Sequence, residues 1–257
     1  MSRPIRLGHR PLSFHEASAR EVERLLVARG HRVERSSGGL AGLFERLGKG
    51  EIDLFVSAWL PLSHERFYAA IANKVRRLAV LYRPYRIWGV PGYVPESEVA
   101  SVADLLGAPA LARMDRRIHG IATRAGISRH SVETIRRYGL DVVAGYRFQP
   151  GTEADCFARF MRAYAERRWV VVPLWHPQSL HRRYAIRALE EPLGLLGGVD
   201  EATMLVHRGA ESAIGRETLD FLAQLTFGNA RVSALDDALI RERAEAAELP
   251  ERRFASR

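Results

Sequence analysis

Short apolar runs alternate with amphipathic stretches along most of this chain. Residues 5–9, Ile-Arg-Leu-Gly-His, read as a strand, and residues 10–15 as a loop. A helix is expected over about 16–29, where Val22, Leu25 and Leu26 recur at helical spacing and Gly30 supplies the stop. A second strand is expected over 31–34, a turn over 36–39, a short helix over 40–49 and a third strand over 51–58. Alternation of this kind predicts a mostly parallel sheet flanked by helices, an α/β arrangement. Strands over 78–82 and 85–90 follow, in a region broken by Pro84, Pro91, Gly92 and Pro95. That punctuation marks a crossing into a second lobe.

The second half continues the pattern. A short helix is expected over 101–106, a strand over 110–114, a loop over 115–120 and helices over 121–138 with Gly139 as their cap. Strands are read over 142–148 and 169–174, separated by an amphipathic helix over 153–167 with Phe157, Phe160, Met161 and Tyr164 on one face. Strands over 184–189 and 202–207, a helix over 217–225 and a last helix over 232–239 return the chain to the first lobe, and the charged tail from Arg241 is expected to fray.

One motif occurs twice, each time after a run that reads as a buried strand. Trp59-Leu-Pro61-Leu-Ser63-His64 and Trp175-His-Pro177-Gln-Ser179 share Trp, Pro at the second position after it and Ser at the fourth, with Tyr68 and Tyr184 at the ninth. A buried strand ending in Trp-x-Pro delivers an aromatic face to the carboxyl edge of a sheet, where open α/β sheets bind their ligands. Buried tryptophans more often serve packing. The repetition in matching context favours a shared ligand site, one edge from each lobe.

Composition narrows the classes. A chain of 257 residues that is 47% apolar supports one large domain or two ordinary lobes. No stretch approaches the roughly 20 apolar residues of a membrane span. The opening Met-Ser-Arg-Pro-Ile-Arg-Leu-Gly holds no apolar signal core, so two localisations stay open: cytosolic, or exported with the signal removed. The single Cys156 excludes an intramolecular disulfide and a cysteine-only metal site. A net charge of +9 permits nucleic-acid binding, but the arginines are dispersed as pairs rather than gathered in a block. No His-Glu-x-x-His spacing, no phosphate loop after the first strand and no partner for Cys156 appear, so no catalytic constellation, metal or cofactor is expected. Residues 121–140 do resemble a helix-turn-helix, the basis of a rival reading as a DNA-binding or ligand-sensing cytosolic regulator. That reading requires Arg129, His130, Thr134 and Arg137 to face solvent.

Gly50-Glu-Ile-Asp53-Leu-Phe-Val-Ser-Ala58-Trp59-Leu-Pro61-Leu-Ser-His64 resembles the signature of the substrate-binding proteins of glycine betaine/proline (quaternary amine) ABC transporters. Val90-Pro91-Gly-Tyr93-Val94, Ser101-Val-Ala-Asp104-Leu105, Tyr138-Gly139-Leu140, Leu174-Trp175-His-Pro177 and Tyr184-Ala-Ile-Arg-Ala-Leu189-Glu-Glu-Pro192 extend the likeness in order over roughly residues 4–230. The resemblance implies a type II periplasmic-binding-protein clamshell. Lobe one would comprise 1–90 plus 187–257 and lobe two 91–186, with the ligand cleft between them. It implies no catalysis, a monomer outside the cytoplasm, a small zwitterionic or cationic amine as ligand, a membrane permease as partner, and no nucleic acid.

A quaternary ammonium has no N–H to donate, so aromatic faces hold it by cation–π attraction, about 0.5–2 kcal/mol per ring. The resemblance therefore implies Trp59 and Trp175 as the clamp, with His64 and the loop carrying His119 and Gly120 for the carboxylate. Departures are visible too. The N-terminal loop has Leu12-Ser13-Phe14-His15 where a Trp is usual, and the 115–120 loop lacks the usual aromatic and glycines. Phe14, Trp88, Tyr93 and Tyr146 are the candidates to complete the cage, and Arg116 or Arg117 would suit a more anionic ligand.

Overall fold

The computed structural model describes residues 3–254. In chain order the elements are β1 (Ile5–His9), α1 (Ser13–Val27), β2 (Val33–Ser37), α2 (Leu40–Gly48), β3 (Leu54–Leu60), α3 (Glu65–Ala69), β4 (Val75–Tyr82) and β5 (Tyr85–Pro91). Next come α4 (Ala108–Arg113), β6 (Arg117–His119), α5 (Gly126–Arg137), α6 (Leu140–Ala144), β7 (Arg147–Gln149), α7 (Glu153–Ala165), β8 (Val172–His176), α8 (Leu180–Arg183) and β9 (Ile186–Ala188). The chain closes with β10 (Glu201–His207), α9 (Glu211–Ile214), α10 (Arg216–Ala223) and α11 (Gly228–Phe254). Two compact units result. Among the described residues the first holds 3–84, 177–179 and 200–254, and the second 85–176 and 180–199.

In the first unit five strands lie in the order β2-β1-β3-β10-β4. β1 pairs parallel with β2 and β3, as alternating strand and helix predict, while β10 inserts antiparallel between β3 and β4. β10 is the strand that returns after the second unit, so it enters from the opposite end. α2 covers one face: Leu43, Phe44 and Leu47 pack with Ile52, Phe55, Ala58, Leu60 and Leu205. α1 packs against β1 and β3 and buries Phe14, Val22 and Leu26. Each such side chain contributes roughly 1.5–3 kcal/mol through its removal from water.

The second unit has an antiparallel sheet β8-β5-β9 and a parallel pair β6–β7. Because β5 pairs with β8 on one side and with β9 on the other, both β5 and β9 belong here, and the crossings fall at Pro84/Tyr85 and Val199/Asp200. The sequence had placed residues 85–90 in lobe one. Trp88 is fully buried at the centre of the core with Val90, Val102, Leu105 and Tyr146, and its indole N–H donates to Ser131 Oγ at 2.9 Å.

Three local expectations are corrected. Residues 110–113 of the run 110–114, expected as a strand, belong to α4, with only Met114 extended: extended Gly107 and Pro109 in the first turn open a helix there. Residues 115–120, expected as a loop, contain β6. Residues 142–144 of the run 142–148, expected as one strand, end α6, bounded by Gly139 and Gly145 at φ 65° and 71°, and only 147–148 are strand, in β7. Val142 and Val143 imitate a strand in sequence, yet both side chains are exposed. The charged tail is also longer than expected as helix, since α11 runs to Phe254; residues 255–257 lie outside the described residues. Ion pairs from Glu242 to Arg20 and from Arg243 to Glu16 tie it to α1.

Candidate functional site

Trp59 lies inside β3 rather than after it, one residue before the strand's end. Its direction is set by a bulge. β10 pairs Thr203 with Ala58 but Leu205 with Phe55, so Val56 and Ser57 together oppose Met204. Ser57 takes φ 72°, the left-handed region that a non-glycine residue enters at a cost. Phe55, Ala58 and Leu60 consequently share the face beneath α2, and Trp59 turns to the other face, toward α1. There it meets Phe14 at 5.8 Å and His15 at 5.6 Å between ring centroids, and His64 stacks on it at 6.2 Å with an interplanar angle of 15°.

The polar atoms of this cluster are assigned by their partners. Trp59 N–H donates to His64 Nδ1 at 2.9 Å, so the neutral ring carries its proton on Nε2. The Trp59 indole N–H donates to Tyr82 Oη at 3.4 Å, and Ser57 and Tyr82 share a hydrogen bond between their hydroxyls. Burial pushes the Tyr82 hydroxyl up to about 12. His15 lies in the first turn of α1, although the sequence placed it in a loop. Burial, then the charge of Arg10 and the neighbouring His64 and His9, hold it well below the usual histidine range, and its Nδ1 has no hydrogen-bond partner among the described residues. The cluster is thus a set of uncharged rings at neutral pH.

The loop after Trp59 is fixed from outside. Leu62 N–H and Ser63 N–H donate to Asp200 Oδ1 at 2.8 and 3.3 Å, and the Ser63 hydroxyl donates to Asp200 Oδ2. The second motif is treated the same way. Residues 177–179 belong to the first unit, where Gln178 N–H donates to Ser233 Oγ at 3.1 Å and Ser179 N–H to Asp236 Oδ2 at 2.7 Å. Ser57, Tyr82, Asp200 and Asp236 were not singled out from the sequence. A polar residue inside an apolar run was the one available signal, at Ser57.

In the second unit Trp175 lies within β8, is almost fully buried and sits 6.1 Å from Phe157. His176 follows it and is sandwiched between Tyr85 at 4.7 Å and His181 at 3.6 Å. His181 donates from Nε2 to the Trp175 carbonyl at 3.3 Å, and burial followed by the neighbouring His176 takes its pKa down to about 4.

The remaining candidates separate. His119 ends β6, its carbonyl accepting from Cys156 Sγ at 3.3 Å. Gly120 N–H is used by Gln149 O at 3.0 Å, and a Cβ at Gly120 would lie 2.5 Å from Phe148 Cε2. Tyr93 is held elsewhere: its hydroxyl donates to the Ala163 and Arg168 carbonyls, Arg167 covers its ring, and Tyr164 packs edge-on. Trp88 and Tyr146 are core residues with bonded polar atoms. Arg116 donates to Leu111 O, and Arg117 pairs with Asp115. Phe14, Trp59 and His64 are therefore brought together, with His15 added, whereas Tyr93 packs with Tyr164.

The helix-turn-helix reading is overturned. α5 buries Ile127, Ser128, Ser131, Thr134 and Ile135, and Thr134, one of the four residues a base reader must expose, has no accessible surface. Burial raises the Cys156 thiol to about 12, which makes it a poor nucleophile. Among the described residues no group of three or more His, Cys, Asp or Glu could hold a metal ion, and no helix is long and apolar enough to cross a membrane.

Comparison with solved structures finds the same fold. The glycine betaine/L-proline-binding protein ProX of Borrelia burgdorferi is 24% identical, with a TM-score of 0.74 over 93% of this chain and 88% of that one. Lactococcal OpuAC, in its closed conformation with glycine betaine, is 19% identical, with a TM-score of 0.73 over 95% and 97%. A choline-binding protein of an ABC transporter, in complex with choline, is 16% identical, with a TM-score of 0.67 over 95% and 90%. A search of curated protein sequences finds no match. The model of one family, however, matches residues 3–252. With nearly its whole length so matched, and with the α/β units that this family's solved structures share, the chain belongs to the substrate-binding domains of ABC-type glycine betaine transport systems.

Proposed function

We propose that this protein is a receptor outside the cytoplasm that captures a small quaternary amine and delivers it, as a monomer, to an ABC transporter permease. Trp59 of the first unit and Trp175 of the second would be the two faces of the clamp. The observation that carries this reading is the Trp59 cluster. A β-bulge, a strained Ser57 and four hydrogen bonds from the loop and the indole hold one ring against Phe14, His15 and His64. Packing alone needs none of that apparatus. An uncharged aromatic surface suits a cation that cannot donate a hydrogen bond. His64 accepts the Trp59 N–H at Nδ1, which puts its ring proton on Nε2, the kind of donor that a ligand carboxylate requires. The relatives with bound glycine betaine and choline support the ligand class.

A ligand held by both rings would favour whichever state offers both. The test is a titration with glycine betaine, choline, carnitine and proline betaine, read by tryptophan fluorescence. Trp88 and Trp169 are both buried and supply a constant background. Saturation by one of these amines, weakened at least tenfold in both Trp59→Ala and Trp175→Ala, is the expected result. A flat response to every amine removes the ligand class.

A further inference from the structure

The second unit contains a pocket of about 130 Å³ that the aromatic reading leaves unused. β6 forms one wall. Its alternation buries Ile118 in the core and turns Arg117 and His119 to the pocket. α7 forms the other wall with Arg159 and Arg162, and Arg168 closes the far side. Asp115 is the one carboxylate in the lining, so four guanidiniums against one carboxylate leave a surplus of three. Asp115 is already divided between Arg117 at 3.4 Å and Arg168 at 3.7 Å, and Glu166 outside the lining pairs with Arg168 at 2.6 Å, which reduces the surplus to two.

Arg159 and Arg162 stand one helical turn apart. Neither guanidinium has a hydrogen bond or ion pair among the described residues. Asp155, four residues before Arg159, is hydrogen-bonded in the capping box with Thr152 and feels the charge of Arg159 without pairing with it. The field of these cations reaches His119, whose pKa is lowered by burial first and by Arg159 next.

We propose that this pocket binds a small oxyanion of the phosphate class, gripped by Arg159 and Arg162 with Arg117 beside them. Guanidinium forks match phosphate oxygens two at a time, and a surplus of two positive charges matches a dianion better than a single carboxylate. Volume sets the size. Water occupies about 30 Å³ per molecule, so the pocket holds about four waters or one phosphate group. It lies below the roughly 300 Å³ at which pockets for larger organic ligands begin. A free phosphate and the phosphate head of a lipid share this chemistry. Of the residues considered for the receptor site the proposal shares His119 and Arg117, and it stands independently of that reading.

The test follows thermal unfolding of the whole chain in rising inorganic phosphate against sodium chloride of equal ionic strength. It compares the wild type with an Arg159→Ser/Arg162→Ser variant. Both side chains are exposed, so the core is untouched. Co-sedimentation with phosphatidylcholine vesicles, with and without phosphatidic acid, runs beside it. Phosphate stabilises proteins generally by exclusion from their surface, so the difference between the two proteins decides. A saturable rise in the unfolding midpoint, shifted at least tenfold to higher phosphate in the variant, establishes a site for the free anion. Sedimentation that needs both phosphatidic acid and the two arginines establishes the lipid head as its source. Equal responses of the two proteins in both arms overturn the proposal.

Discussion

Ser63 and Ser179 hold the same place in the repeated Trp-x-Pro-x-Ser motif, and each donates its backbone N–H to a carboxylate brought from far along the chain. Asp200 reaches Leu62 from 138 residues away, and Asp236 reaches Ser179 from 57. The motif's aromatic half was legible in the sequence because Trp and Pro carry their chemistry locally. Its anchoring half was not, since nothing near Ser63 names Asp200. Asp200→Ala would remove the acceptor of two backbone N–H groups and a hydroxyl, at a cost of about 1–3 kcal/mol. Urea unfolding should show that loss, together with weaker amine binding as the Trp59 loop slackens. Unchanged stability would mean that water replaces the carboxylate. Gly120→Ala is the second sensitive point. Its Cβ would enter the space of the Phe148 ring, and overpacking of that kind costs about 1–3 kcal/mol.

At the scale of elements, β3 shows why strand ends were misplaced. The sequence reading stopped the strand at Ala58 and put Trp59 beyond it, whereas the ladder continues through Leu60. Simple alternation would then have placed Trp59 on the α2 face with Phe55. The bulge at Ser57 reverses the phase, and a bulge leaves little trace in sequence beyond a polar residue among apolar ones. Ser57→Gly would relieve roughly 1 kcal/mol of left-handed strain and lose a hydroxyl bond of about 0.5–1.5 kcal/mol, for a net change within about 1 kcal/mol. Ser57→Val would force a β-branched residue into that conformation and remove the hydroxyl bond to Tyr82, costing about 2–4 kcal/mol. Chemical unfolding of the two variants side by side should give these opposite outcomes, and equal losses would remove the bulge from the account. The exposed valines of α6 misled in the other direction: their β propensity was real, but two flanking left-handed glycines and the absence of a buried face made a helix.

For the whole molecule the clearest expectation concerns pH. Six of the nine histidines, at positions 9, 15, 119, 130, 176 and 181, have pKa values lowered in the folded state, with burial the largest cause in each. A lowered histidine is neutral in the fold and protonates first in the unfolded chain. Its contribution is complete above the unfolded value of about 6.5 and is lost as pH falls toward the folded value. For His181 the window runs from about 6.5 down to about 4. Each proton taken up only by the unfolded chain costs at most about 1.4 kcal/mol per pH unit. The paired carboxylates act lower. Asp53, bonded by Arg3 and Arg6 and held at about 2, keeps its contribution until pH drops below about 4. Asp236 works the other way, since burial raises its pKa and acid slightly favours its folded form. Between pH 6.5 and 5 the histidines therefore dominate, and the net charge of +9 grows more positive as they titrate. Urea midpoints measured at pH 7.5, 6.5, 5.5 and 5 should begin to fall in the first interval, as the unfolded imidazoles approach half-protonation, and fall more steeply across the rest. His181→Gln should soften the fall by removing one titrating group. A midpoint that stays flat to pH 5 would show that these imidazoles reach water in the folded protein.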